Sequence, residues 1–140
     1  MRTAIFPAKF DQLDSIRDFA AQAARDAGMD DSAIYAVELS MDEACTNVIE
    51  HAYEGVEGGE IECTCDLDEK NLTIIIHDHG KSFDPGSIAL PNLDADLDSR
   101  PVGGLGVFLM KKLMDDVRFE PLGEAGNILT MVKQRKIGIH

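Results

Sequence analysis

The sequence predicts an α+β fold, a two-layer sandwich in which about three helices cover one face of a mostly antiparallel, mixed sheet. Three observations predict it. Two long segments of helical period come first, between about Asp11 and Tyr53. Strand-like segments follow in two pairs, each joined by turn residues. A third helical segment, opened by glycines, lies between the pairs. Early helices, then paired strands and one more helix, give helices packed on a mostly antiparallel sheet.

In chain order, Thr3 to Ala8 is a short apolar segment suited to an edge strand. Asp11 or Asp14 can cap a first helix running to about Ala27, with Leu13, Ile16, Phe19 or Ala20, Ala23 and Ala27 as its buried stripe. Gly28 stops it, and Asp30-Asp31-Ser32 supplies acceptors for the next helix start. In that second helix Ile34, Val37, Met41, Ala44, Cys45, Val48 and Ala52 recur at helical spacing. Glu43 and Asn47 are one turn apart on its flank, roughly 100–140° around from the centre of the stripe.

The helix ends near Tyr53, and Gly55, Gly58 and Gly59 make a turn. Glu60 to Leu67 alternates as a strand with one wet face, and Leu72 to Asp78 is apolar enough to be central; Asp68 to Asn71 joins them as a hairpin. From about 85 to 102 the pattern collapses into a long acidic loop, of the kind that serves as a lid. Gly103-Gly104-Leu105-Gly106 opens a helix reaching Asp115, and Asp116 to Pro121 with Asn127 to Gln134 form the last strand pair.

With 140 residues the chain is read as one domain, 1–140, large enough for its own core. No apolar run approaches the roughly 20 residues of a membrane span. The first residues lack a signal peptide's apolar core, so a cytoplasmic location is expected. The net charge of −13 argues against nonspecific nucleic-acid binding and permits a basic partner. Three cysteines, Cys45, Cys63 and Cys65, make no disulfide framework, and no second cysteine pair completes a zinc site. Cys63, Cys65, His77 and His79 can be pictured as a cluster, but the strand exit at His77–Gly80 has a better explanation.

Three stretches are polar or glycine-rich against the pattern. Glycines before a helix let backbone N–H groups approach an anion, so Gly103–Gly106 suits phosphate. Asp78 ends an apolar strand, where a carboxylate needs a donor such as a purine exocyclic amine; Gly80 beside it leaves room for a flat ring. Asn47 can offer its amide oxygen to Mg²⁺ and nucleotide phosphates, and Glu43 can accept a proton. Each alone also reads as ordinary loop or surface. Together their order and spacing resemble the nucleotide-binding fold shared by histidine kinases, DNA gyrase, heat-shock chaperone 90 and mismatch-repair ATPases.

Glu43-x-x-x-Asn47 resembles that superfamily's N box, Asp78-x-Gly80 its G1 box and Gly104-x-Gly106 its G2 box. Within it the chain is most similar to the anti-sigma-factor serine/threonine kinases, over Asp42 to Tyr53, Asp78 to Pro85 and Arg100 to Gly106. The resemblance runs from Phe6 to Lys133 and implies a histidine-kinase-like ATPase domain that binds ATP with Mg²⁺.

It implies Asn47 as the metal ligand, Glu43 as general base, Asp78 and Gly80 at the adenine, and Gly103, Gly104, Leu105 and Gly106 at the phosphates. His51, inside the N box, and Arg100, the cation best placed for the β- and γ-phosphates, join the nucleotide-binding set. On the last strand Thr130 is the candidate adenine contact, although Gly126-Asn127-Ile128 stands where family members often carry Gly-Thr-Thr. The implied reaction moves the γ-phosphoryl of ATP to a serine or threonine of a STAS-domain anti-sigma-factor antagonist, and so regulates transcription by partner switching. A sigma factor as second partner and a homodimer through the early strand and helix are further implications. The competing readings are a nucleotide-gated module that sequesters its partner without transfer, and a sensor-kinase ATPase domain acting on a histidine supplied in trans.

Overall fold

The computed structural model describes residues 1–83 and 104–135. The expected lid, Arg100 and Gly103 lie outside the described residues. The chain opens with β1 (Arg2–Pro7), and a 3₁₀ turn over Phe10–Gln12 leads straight into α1 (Leu13–Asp26). That run-in displaces the expected cap. Gln12 precedes α1 in helical conformation with no side-chain bond to it, and Asp14 instead accepts from Arg17 at 2.8 Å. Gly28, at φ +74°, turns the chain away. The Asp30 carboxylate accepts from the Ala33 N–H at 2.8 Å and caps α2 (Asp31–Asn47). The last turn of the same rod, Val48–Ala52, is a wide π turn that ends at Tyr53.

β2 (Glu60–Leu67) and β3 (Asn71–Asp78) form the expected hairpin. Its turn is held by the Asp68 carboxylate, which accepts from the backbone N–H groups of Lys70 and Asn71 at 2.7 Å each. α3 (Gly104–Leu113) then leads to β4 (Asp116–Pro121) and β5 (Asn127–Gln134). Sheet order is β1-β2-β3-β5-β4, and every pairing is antiparallel. β3 is central as its apolar run predicts, and β5 is inserted between β3 and β4.

Alternation along the strands decides what faces the helices. Leu72, Ile74, Ile76 and Asp78 of β3, Ile61, Cys63 and Cys65 of β2, and Leu129 and Met131 of β5 are enclosed with Ile16, Val37, Met41 and Met110. Each large aliphatic side chain so enclosed contributes about 1.5–3 kcal/mol. The same parity separates the imagined Cys–His cluster. Cys63 and Cys65 face the core, whereas His77 pairs with Glu62 on the other face. All three cysteines are free and buried, and the described residues contain no group of three or more side chains fit to hold a metal. None of the described helices is long and apolar enough to cross a membrane.

Candidate functional site

The site forms where the end of α2 passes the ends of β3 and β5. Asp78 and Asn127 are register partners, and both point to the helix side. Above them α2 supplies Ala44 and Asn47, the π turn that follows it supplies Val48, and α3 supplies Met110. With Ile76, Phe83, Phe119 and Leu129 these residues bound a narrow cleft of about 10 Å³, polar at the Asn47, Asp78 and Asn127 corners. Phe83 closes one side, its ring 5.2 Å from Phe119 and 5.7 Å from His51.

Asn47 is only 2% exposed, deeper than a helix flank suggests, in the cleft it shares with Ile76, Asp78, Asn127 and Met110. Neither its Oδ1 nor its Nδ2 has a hydrogen-bond partner among the described residues. A buried polar group left so costs about 1–3 kcal/mol. Such groups mark a ligand or solvent position. An amide oxygen is also a suitable donor for a hard cation such as Mg²⁺, so the residue fits the metal role.

Asp78 is 1% exposed. Its Oδ1 accepts from the Gly80 N–H at 2.9 Å and from Asn127 Nδ2 at 3.0 Å. Burial pushes the carboxyl above its ordinary range; the bonds from Asn127 and Gly80, and the nearby imidazoles of His77 and His79, oppose this without cancelling it. Among the described residues Oδ2 accepts no bond from the protein, which leaves an acceptor for an incoming amine.

Glu43 sits one turn before Asn47, half-buried, outside the lining of the cleft. Burial first, then the charges of Asp42 and Glu50, raise its pKa above the ordinary 4.5. That shift suits a proton acceptor working nearer neutrality. His51 reaches the cleft only through Phe83, and its Nε2 is buried without a partner among the described residues.

Two expectations change. The space left by Gly80 is not open to a ring: a Cβ there would lie 2.3 Å from the Ala52 carbonyl oxygen, so the glycine permits strand exit and helix end to touch. Thr130 lies on the opposite face of the sheet, beside Ile75 and Arg118, because β5 turns Asn127, Leu129 and Met131 inward. Asn127 is the site residue that the sequence reading missed. Its amide donates to Asp78 Oδ1 and to the Lys81 carbonyl, 3.0 Å each, and its Oδ1 accepts from the Phe83 N–H at 3.3 Å. Counting two-residue steps along the strand from Thr130 would have flagged the mismatch. Gly104, Leu105 and Gly106 form the first turn of α3.

A helix carrying the buried, unbonded Asn47 thus lies over an antiparallel sheet whose central strand ends in the buried Asp78. The family model described as "Histidine kinase-like ATPase domain" matches residues 6–133. The serine-protein kinase RsbW of Halalkalibacterium halodurans is 34% identical over 134 residues, which is 91% of this chain and 78% of that protein. RsbW of Listeria innocua is 34% identical over 120 residues, 83% of this chain and 76% of that protein. The chain belongs to this family, the RsbW-type serine-protein kinases, as its boxes led the sequence reading to expect.

Solved structures agree on the fold. The structure of the RsbU and RsbW domains of Rv1364c from Mycobacterium tuberculosis superposes with a TM-score of 0.67 at 17% identity, covering 96% of this chain and 33% of that one. This chain thus spans about a third of that protein. The catalytic domain of histidine kinase ThkA gives 0.56 at 13% identity over 96% of this chain and 97% of that one.

Proposed function

We propose that the chain is an ATP-dependent serine/threonine kinase of the anti-sigma type, which binds Mg-ATP and phosphorylates a STAS-domain antagonist in a partner-switching pathway. One observation carries the reading: a buried Asn47 amide with neither atom bonded, sharing a cleft with a buried Asp78 whose Oδ2 accepts nothing from the described residues. Family membership supports it, and so does the kinase activity named for its relatives.

In this reading Asp78 accepts the adenine amine, Asn127 holds Asp78 in place, and the first turn of α3 offers N–H groups to the phosphates. Bound through Asn47, Mg²⁺ supplies charge neutralisation of the phosphates. Glu43 takes the proton of the attacking hydroxyl as its oxygen bonds to the γ-phosphorus, and ADP leaves with the electrons of the broken P–O bond. A sigma factor is the second partner. The working unit is a homodimer built on β1 and the 3₁₀ turn that leads into α1, where Ile5 and Phe10 are 58% and 56% exposed.

Purified chain, Mg-ATP and a STAS protein encoded near it should yield phosphoserine or phosphothreonine on that protein. Absence of transfer to every such protein overturns the kinase reading, and calorimetry showing no Mg-ADP binding overturns the site itself. Light scattering that returns a monomer at working concentration removes the dimer.

A further inference from the structure

We infer that Tyr53 is a positioning residue for the adenine side of the cleft, fixing the exit of β3 from the end of α2. The inference rests on the nucleotide-site reading above and adds a residue to it. β2 and β3 pair as far as Ile61 and Asp78, and there their pairing stops. β2 continues one residue further, with Glu60 opposite Pro7 of β1, while β3 veers away into His79 and Gly80. The Tyr53 hydroxyl fills the gap that opens. It donates to the Glu60 carbonyl at 2.7 Å and accepts from the His79 N–H at 2.8 Å. One phenol oxygen thus bridges the Glu60 carbonyl and the His79 N–H, where the ladder continued one step would place a direct backbone bond.

Neighbouring contacts prepare this placement. The ring is buried, and Gly59 makes room for it, since a Cβ there would lie 2.6 Å from the ring carbons. The preceding residue, Ala52, accepts from the Lys81 N–H at 2.9 Å. Two consecutive residues at the end of the rod that carries Asn47 therefore hold the backbone on either side of Gly80, and Gly80 N–H holds Asp78. The wide turn over Val48–Ala52 separates Asn47 from Tyr53, so one element serves the cleft with the first and the strand exit with the second. Tyr53 touches no reacting atom in this account; it acts through Asp78 and Gly80.

Tyr53→Phe keeps the ring and removes both bonds. Calorimetry with Mg-ADP should show about tenfold weaker binding, the worth of one net hydrogen bond, and KM for ATP should rise by the same factor with kcat within about twofold. The separating measurement is a double-mutant cycle with Asp78→Asn. In the Asp78→Asn background, Tyr53→Phe should weaken binding by no more than about twofold, because the group it positions is already disabled. Wild-type affinity in Tyr53→Phe, a fall in kcat at unchanged KM, or a fully additive tenfold loss each overturns the inference and leaves the nucleotide site standing. Wild-type affinity in Asp78→Asn overturns the adenine reading, and the role of Tyr53 falls with it.

Discussion

Asp78→Asn should make the nucleotide-free protein more stable and nearly abolish its nucleotide binding. Among the described residues, both bonds that the carboxylate receives fall on Oδ1, from Gly80 and Asn127, and an amide oxygen can accept both. The substitution therefore removes a charge from a site 1% exposed and keeps the local geometry. Two neutral bonds in place of charge-assisted ones lose about 1 kcal/mol each at most, while desolvation of the charge is relieved. The raised pKa of Asp78 says that desolvation is the larger of the two. A carboxyl with its folded pKa raised above 3.8 lowers stability where it is charged in the folded state, and that cost fades as pH falls through the folded pKa. Asp78→Asn should thus exceed the wild type in urea midpoint at pH 7, with the gap closing below about pH 4. Adenine meets the opposite balance. A charge-assisted bond of about 1.5–3 kcal/mol is lost, and an amide N–H now points at the amine, so Mg-ADP affinity should fall at least about 100-fold. Denaturation at the two pH values and calorimetry at pH 7 measure both effects. A variant less stable at pH 7, or one that binds Mg-ADP like the wild type, refutes the reasoning.

Asn47→Ala removes two unbonded buried atoms at the cost of a small cavity, so stability without ligand should change by less than about 1 kcal/mol while Mg-dependent nucleotide binding disappears in calorimetry with and without Mg²⁺. Glu43→Gln should keep Mg-ADP affinity within about threefold and lower phosphoryl transfer at least about 100-fold in a radiolabel assay. Because burial and its acidic neighbours raise the pKa of Glu43, transfer by the wild type should fall on the acid side starting above pH 4.5, and a rate flat from pH 5 to 8 argues against a base there. Thr130→Val should leave nucleotide affinity within about twofold, since the side chain faces away from the cleft; a larger loss would place the ligand on the other face of the sheet.

The strands, the two main helices and the central rank of β3 were legible because period-2 and period-3.6 patterns report directly on which face is buried. Asp30 was legible as a cap because a side-chain acceptor one residue before a helix has one obvious use. The start of α1 was not, since a 3₁₀ turn can carry the chain into a helix without any side-chain signal. Asp78 stood out as a carboxylate ending an apolar strand, and Glu43 and Asn47 as a polar pair one turn apart on a helix flank. Asn127 did not, because its role exists only through pairing with Asp78 from 49 residues away, which no local pattern encodes. Thr130 was misplaced for a related reason: chemistry chose the residue, and strand parity, which the alternation of Leu129 and Met131 already displayed, turns it the other way.

The insertion of β5 between β3 and β4 has a consequence for the order of synthesis. Synthesis runs from the N-terminal side, so the central strand emerges with β2 on one side and a bare row of N–H and C=O groups on the other. That edge stays open until β5 slides in, and the same strand brings the asparagine that steadies Asp78. Half-finished chains therefore lack the partner of Asp78 and are at their stickiest, so the fastest route to a clean protein is one that shortens the wait for residues 127–134.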